Sequence, residues 1–153
     1  MKRIALCPLV LLLISAPAIA GAENRALELQ REREKLEREK DPVDRAKIGI
    51  RISDLLLDNI ADSVREGDFT ELQAELAAYT TAIESAHKSL VDSGRDAQKK
   101  SGGFRELEIA LRKQVRKFDD YARMLTTDRR EPIEQAKKLA TGIRDKLLKA
   151  LFP

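Results

Sequence analysis

Two residues in Glu-x-x-His spacing are the first arrangement in this chain that could hold a metal. Glu84 and His87 have the spacing that forms half of a di-iron site in helical bundles. Such a site needs the motif twice and two further glutamates, because two irons require about six protein ligands. The chain contains only one histidine. We therefore interpret His87 as a residue at the edge of an apolar stripe and expect neither a metal nor a cofactor.

A second arrangement consists of carboxylates that recur every four residues, at Asp54, Asp58 and Asp62. On a helix these side chains share one face, where like charges repel by a few tenths of a kcal/mol. They could bind a hard cation such as calcium, but carboxylates on a single helix converge poorly without a loop. The spacing therefore favours a solvated or salt-bridged face over a metal site.

Signatures of catalysis are missing from the sequence. A serine or cysteine triad needs a histidine oriented by a third group, and the helix-edge His87 offers no such framework. The pair Gly102-Gly103 lacks the Gly-Lys-Ser/Thr ending of a phosphate loop. Catalysis by paired carboxylates needs an apolar cleft, and aromatic residues make up only 4% of the chain. We predict that the protein is not an enzyme.

Charge is segregated along the chain, since acids dominate residues 54–92 and bases dominate residues 95–117. Two interpretations remain open. An acidic helical hairpin packs against a basic one and selects which helices are neighbours, or the basic segment is a docking face for an anionic lipid, a polyanionic glycan or an acidic protein. Nucleic acid is not expected, because no aromatic platform accompanies the bases. The candidate interaction face consists of four bases within two helical turns: Arg112, Lys113, Arg116 and Lys117.

The N-terminal twenty residues have the composition of a secretory signal peptide. Lys2 and Arg3 precede the apolar stretch 4–14, and Ala18-Ile19-Ala20 is a small-residue cleavage site. The sequence thus predicts a signal peptide over 1–20, export to a periplasm or the medium, and no stable membrane span after cleavage. Cleavage also removes Cys7, the only cysteine, so no disulfide is expected. Removing Lys2 and Arg3 from the 29 basic residues leaves 27 against 26 acidic residues, a net charge of +1.

Thirteen of the 21 residues in the segment 21–41 are charged, with Leu29 and Leu36 seven residues apart and Val43 continuing the series. Three apolar residues are too few to bury a helix, although mixed charges at helical spacing stabilise a solvated one. We predict an exposed, charged helical arm, with disorder as the alternative. The same three residues could form a coiled coil with a second copy of the chain.

Residues 42–153 form the third segment, in which apolar residues recur at helical spacing. Asp41-Pro42 starts the first helix and Gly67 ends it. The next helices are expected from Asp68 to about Lys100, from Phe104 to Thr126, and from about Glu131 onward. Alternation at residues 48–52 also fits a short strand. The pattern predicts an all-α fold, an antiparallel up-down bundle of four helices with a three-helix core as the alternative.

Together these features favour an exported, non-enzymatic helical protein that binds a macromolecule or has a structural role at the cell envelope. One alternative is a periplasmic chaperone or stress-buffering protein. Leu125 and Thr126 resemble the start of the Leu-Thr-x-x-Gln motif of small exported helical stress chaperones, but Arg129 stands where that motif has glutamine. Two matched residues do not assign the family. The other alternative is a self-assembling coiled-coil component.

Overall fold

The computed structural model describes residues 17–153, with side chains from residue 21 onward. Within this part of the chain there are five α-helices, a short 3₁₀ turn and no strand, so the all-helical prediction is confirmed. Most of the predicted signal peptide, residues 1–16, lies outside the described residues. None of the described helices is both long and apolar enough to span a bilayer. The helices are α1 (Pro17–Arg38), α2 (Pro42–Glu66), α3 (Phe69–Asp92), α4 (Phe104–Met124) and α5 (Glu131–Leu151).

The predicted boundaries of α2 are confirmed, and its capping chemistry explains them. The Asp41 carboxylate accepts hydrogen bonds from the backbone N–H groups of Val43 and Asp44, at 2.9 and 3.1 Å. Pro42 occupies the first turn, where its missing N–H costs nothing. Gly67 ends the helix with a φ of 73°, a left-handed conformation that glycine adopts without steric cost. Residues 48–52 lie inside this helix, so the strand alternative is wrong.

Two predicted helix ends lie too far along the chain. α3 ends at Asp92 rather than near Lys100, because Gly94 follows with a φ of 65° and its N–H bonds back to the Val91 carbonyl at 3.1 Å. α4 ends at Met124, since Leu125 has an extended backbone. The segment between α3 and α4 is an irregular loop.

Most core residues come from α2 to α5, with Leu29 of α1 and Ala97 added to them, and α2 contacts α1, α3 and α4. α2 and α3 approach closely, since a Cβ added at Gly49 would lie 2.8 Å from the Ala86 Cβ. α5 packs against α3 and α4. Large side chains that are almost completely buried fill the space between these helices: Leu56, Leu57, Ile60, Leu72, Tyr79, Ile83, Leu90, Leu107, Leu111, Phe118, Ile133 and Leu147.

A buried polar network joins three of these helices. The Tyr79 hydroxyl donates to Gln114 Oε1 at 2.8 Å, and Gln114 Nε2 donates to Ser53 Oγ at 2.8 Å and Asp54 Oδ1 at 2.9 Å. The Tyr79 and Phe118 rings also pack in a T-shaped arrangement, with centroids 5.0 Å apart. Because a buried polar group without a partner is costly, these bonds set the register of α2, α3 and α4.

The charged arm is helical, but one side of it is covered by α2. Leu29 and Glu32 are 7% and 5% exposed. Glu32 accepts a hydrogen bond from Arg51 Nε of α2 at 3.0 Å and also pairs with Lys35. At the other end Arg25 pairs with Asp62. The expectation of an exposed arm therefore needs correction, because ion pairs supplement the few apolar contacts that Leu29 and Leu36 supply.

Candidate functional site

The four predicted interaction residues lie on α4, but they do not all point in the same direction. Arg112, Lys113 and Arg116 are exposed, whereas Lys117 is half-buried. The Lys117 Nζ lies 3.6 Å from the Asp58 carboxylate of α2. Three of the four bases thus have no carboxylate closer than 4.0 Å among the described residues, whereas Lys117 forms a partly exposed ion pair with the neighbouring helix.

The pattern of α4 explains why its bases are displayed outward. Phe104, Leu107, Leu111 and Phe118 are buried at spacings of three, four and seven residues, which places them on one side of the helix. The intervening positions face away from the core. Glu106 fixes the first turn, because its carboxylate accepts the Gly103 N–H at 2.6 Å.

Most bases on this outward side lack a nearby acid. Among the described side chains, no carboxylate lies within 4.0 Å of Arg105, Lys113 or Arg116, and Arg112 Nε is 4.0 Å from Glu108. We call Arg105, Arg112, Lys113 and Arg116 the basic α4 surface. Its uncompensated charge favours an anionic partner.

A groove of about 520 Å³ runs beside this surface, between α4 and α5. Its charged rim is formed by Arg105, Arg112 and Arg144, and Glu108 lies among them with 8% exposure. The Arg144 Nε donates to the Glu108 carboxylate at 3.1 Å. Two uncharged polar residues, Gln98 and Ser101, also line the groove, and the other lining residues are apolar: Ala97, Ile109, Leu148, Leu151 and Phe152.

The sequence analysis missed the role of Arg144 and Glu108. Both flank apolar stripes, since Arg144 follows Ile143 and Glu108 follows Leu107. Oppositely charged residues at the edges of two neighbouring stripes are a signal for an interhelical pair. That signal becomes specific only when α4 and α5 are known to be neighbours.

A second charged groove, of about 610 Å³, lies between α1 and α2. Its bases are largely neutralised, because Lys47 lies 3.0 Å from the Asp44 carboxylate and Arg51 binds Glu32. Arg38 Nη2 is 4.0 Å from Glu34, the same separation as Arg112 Nε from Glu108, so Arg38 is not counted among the neutralised bases. This groove is therefore a weaker candidate for an anion than the basic α4 surface.

The acidic repeat on α2 is salt-bridged, as predicted for Asp58 and Asp62. Asp58 faces Lys117, and Asp62 pairs with both Arg25 and Arg65. Asp54 instead accepts from Gln114. Over residues 17–153 no cluster of three or more His, Cys, Asp or Glu side chains has the geometry to hold a metal ion.

His87 is half-buried on α3. Burial lowers its pKa below the usual value, and the charge of Lys146 on α5 lowers it further. Glu84 one turn earlier is exposed. The imidazole is thus held toward its neutral form by its surroundings.

Comparison of the chain with protein-family models gives no match, and neither the curated proteins nor the solved structures yield a similar protein.

Proposed function

We propose that this chain is an exported, non-enzymatic helical protein that binds an acidic protein partner at the cell envelope through the basic α4 surface. The observation that supports this proposal is the set of bases without nearby carboxylates on one rigid helix, Arg105, Lys113 and Arg116. Export is supported by the signal-peptide pattern of residues 1–20. The absence of catalysis is supported by the sequence, which has a single histidine, His87, and a single cysteine, Cys7, which lies within the predicted signal peptide.

A protein partner fits the charge distribution better than a lipid surface does. With the predicted signal peptide removed the net charge is +1, so long-range attraction to an anionic bilayer is weak, and each base near such a surface contributes only about 1 kcal/mol. Three of the four bases are arginines, whose planar guanidinium groups bind carboxylates with two parallel hydrogen bonds. Local recognition of acidic side chains follows from that geometry.

We further infer that α2 to α5 form an up-and-down four-helix bundle that supports this surface. Residue numbers increase on both helices from the contact Ser53–Gln114 to the contact Leu57–Tyr121, which indicates that α2 and α4 are parallel neighbours. From the ion pair Arg144–Glu108 to the ion pair Lys137–Asp119, the residue number rises on α4 and falls on α5. The two helices are therefore antiparallel. These directions support alternating helices.

Self-assembly through the arm is not part of this proposal. Leu29 and Val43 are buried within the chain and Leu36 is half-buried. A coiled coil between two arms would therefore require α1 to leave α2.

Charge reversal on the basic α4 surface tests the proposed function. The variant Arg112→Glu/Lys113→Glu/Arg116→Glu and the unmodified protein are used as bait in envelope extract, and captured proteins are quantified. A control reverses three exposed bases on the solvent side of α5, Lys138→Glu/Lys146→Glu/Lys149→Glu. We expect an acidic protein to be captured by the unmodified protein and the control but lost with the α4 variant. Equal recovery with all three baits contradicts the proposal.

A further inference from the structure

We propose that the α4/α5 groove is the docking site for an acidic amphipathic helix of the partner, a site that rests on the proposed function and specifies the chemistry of the partner. Grooves between helices commonly bind a helix that inserts its apolar side chains and pairs its charges with the rim. The rim and floor of this groove determine what such a helix must present.

The basic rim requires acidic residues on the occupant. Arg105, Arg112 and Arg144 line the groove together with a single carboxylate, Glu108, which Arg144 already binds at 3.1 Å. Two guanidinium groups therefore remain for external carboxylates. Arg105 has no carboxylate within 4.0 Å among the described residues, and the 4.0 Å separation of Arg112 from Glu108 is too long for a hydrogen bond.

The spacing of the rim defines the spacing of those acids. Arg105 and Arg112 are seven residues apart on α4, which is two helical turns or about 10 Å along the axis. Ile109 lies between them and is half-buried. A helix docked along the groove can therefore pair with Arg105 and Arg112 if its own carboxylates are seven residues apart.

The floor requires apolar residues between these acids. Leu148 and Leu151 of α5 are half-buried, and Phe152 is 70% exposed. On a helix, residues three and four positions after the first acid lie on the same face as both acids. The occupant is therefore a segment with acid at i and i+7 and leucine-like residues at i+3 and i+4.

Two labelled peptides of identical composition test this geometry by fluorescence anisotropy with the full chain. Both are alanine-rich helices with glutamates at i and i+7, but the matched peptide has leucines at i+3 and i+4, and the isomer has them at i+2 and i+5, on the opposite face. We expect the matched peptide to bind about tenfold more tightly, because burial of one leucine in the groove is sufficient for that ratio.

Two variants locate the binding. Leu148→Asn places a polar side chain in the floor and leaves the basic α4 surface intact, and we expect it to reduce the tenfold preference to less than about threefold. Arg105→Gln/Arg112→Gln removes the rim charges and should weaken both peptides. The control Lys146→Gln/Lys149→Gln should change neither peptide, and circular dichroism verifies that every variant is folded.

The possible results separate the groove from the proposed function. Equal affinity for the two peptides, or no binding of either, overturns the groove assignment. Binding of phosphatidylglycerol vesicles that Leu148→Asn abolishes, without peptide binding, shows that the occupant is a lipid and also overturns it. If the acidic partner is still lost on charge reversal of Arg112, Lys113 and Arg116, the proposed function stands without the groove.

Discussion

Replacing Gln114 with leucine tests the buried network that joins α2, α3 and α4. Gln114 is 1% exposed and accepts the Tyr79 hydroxyl at 2.8 Å, and Tyr79 itself is completely buried. Leucine is similar in size, so the substitution removes the partner of that hydroxyl and the amide that donates to Ser53 and Asp54. A buried donor without a partner costs about 1–3 kcal/mol. We therefore expect Gln114→Leu to lower the free energy of unfolding by about 2 kcal/mol.

A double-mutant cycle identifies the cause. Tyr79→Phe alone should cost about 1 kcal/mol, since it removes one hydrogen bond and leaves the ring packed on Phe118. Adding Tyr79→Phe to Gln114→Leu removes the unpaired hydroxyl, so the double variant should lose less stability than the sum of the two single changes. Urea unfolding followed by circular dichroism measures all four proteins. Strict additivity, or a neutral Gln114→Leu, refutes the role given to this network.

Three further predictions follow from packing and titration. Gly49→Ala should destabilise the fold by about 1–3 kcal/mol, because its Cβ would lie 2.8 Å from the Ala86 Cβ. Gly142→Ala on α5, where a Cβ has open space, should stabilise the fold by about 0.5–1 kcal/mol. Thermal unfolding of both variants measures these changes. His87 should titrate below 6.5 in NMR spectra, because burial and Lys146 lower its pKa. The folded protein should then lose stability as pH falls below the unfolded value of about 6.5, and His87→Gln should remove that dependence. Burial alone would raise the pKa of Glu32, but hydrogen bonds from Lys35 and Arg51 hold it below 4.5. The stability that Glu32 contributes is therefore present above that pH and is lost as the pH falls further. Glu32→Gln should make the loss of stability below pH 4.5 less steep. Urea midpoints across pH that do not change with either substitution would contradict these assignments.

Local chemistry made the helices predictable. Asp41, Pro42 and Gly67 act on backbone groups within a few residues of themselves, so the bounds of α2 follow from the sequence. The apolar pattern predicted that α3 continues to about Lys100, but the helix ends at Asp92, two residues before Gly94 with its positive φ. The apolar pattern favours a longer helix and a glycine in the left-handed conformation favours a shorter one. Where the helix ends depends on the conformation of the neighbouring loop, which the sequence pattern does not describe.

Contacts between distant segments were not predictable from periodicity. The arm was expected to be exposed because it has few apolar residues, yet Arg51 and Asp62 of α2 supply the ion pairs that hold it. Lys117 belonged to the same basic cluster as Arg112 in the sequence, and only its proximity to Asp58 separates the two. Which charges are paired depends on helix rotation, and rotation depends on packing across the whole core.

Site-specific photo-cross-linking in the native envelope tests the binding function most directly. A benzoylphenylalanine replaces Ile109, which lies between Arg105 and Arg112, and in a second protein it replaces Lys146 on α5. We predict that the probe at Ile109 forms an adduct with one acidic protein, that this adduct disappears on charge reversal of Arg112 and Arg116, and that the probe at Lys146 does not form it. No adduct at Ile109, or the same adducts from both positions, contradicts binding through the basic α4 surface.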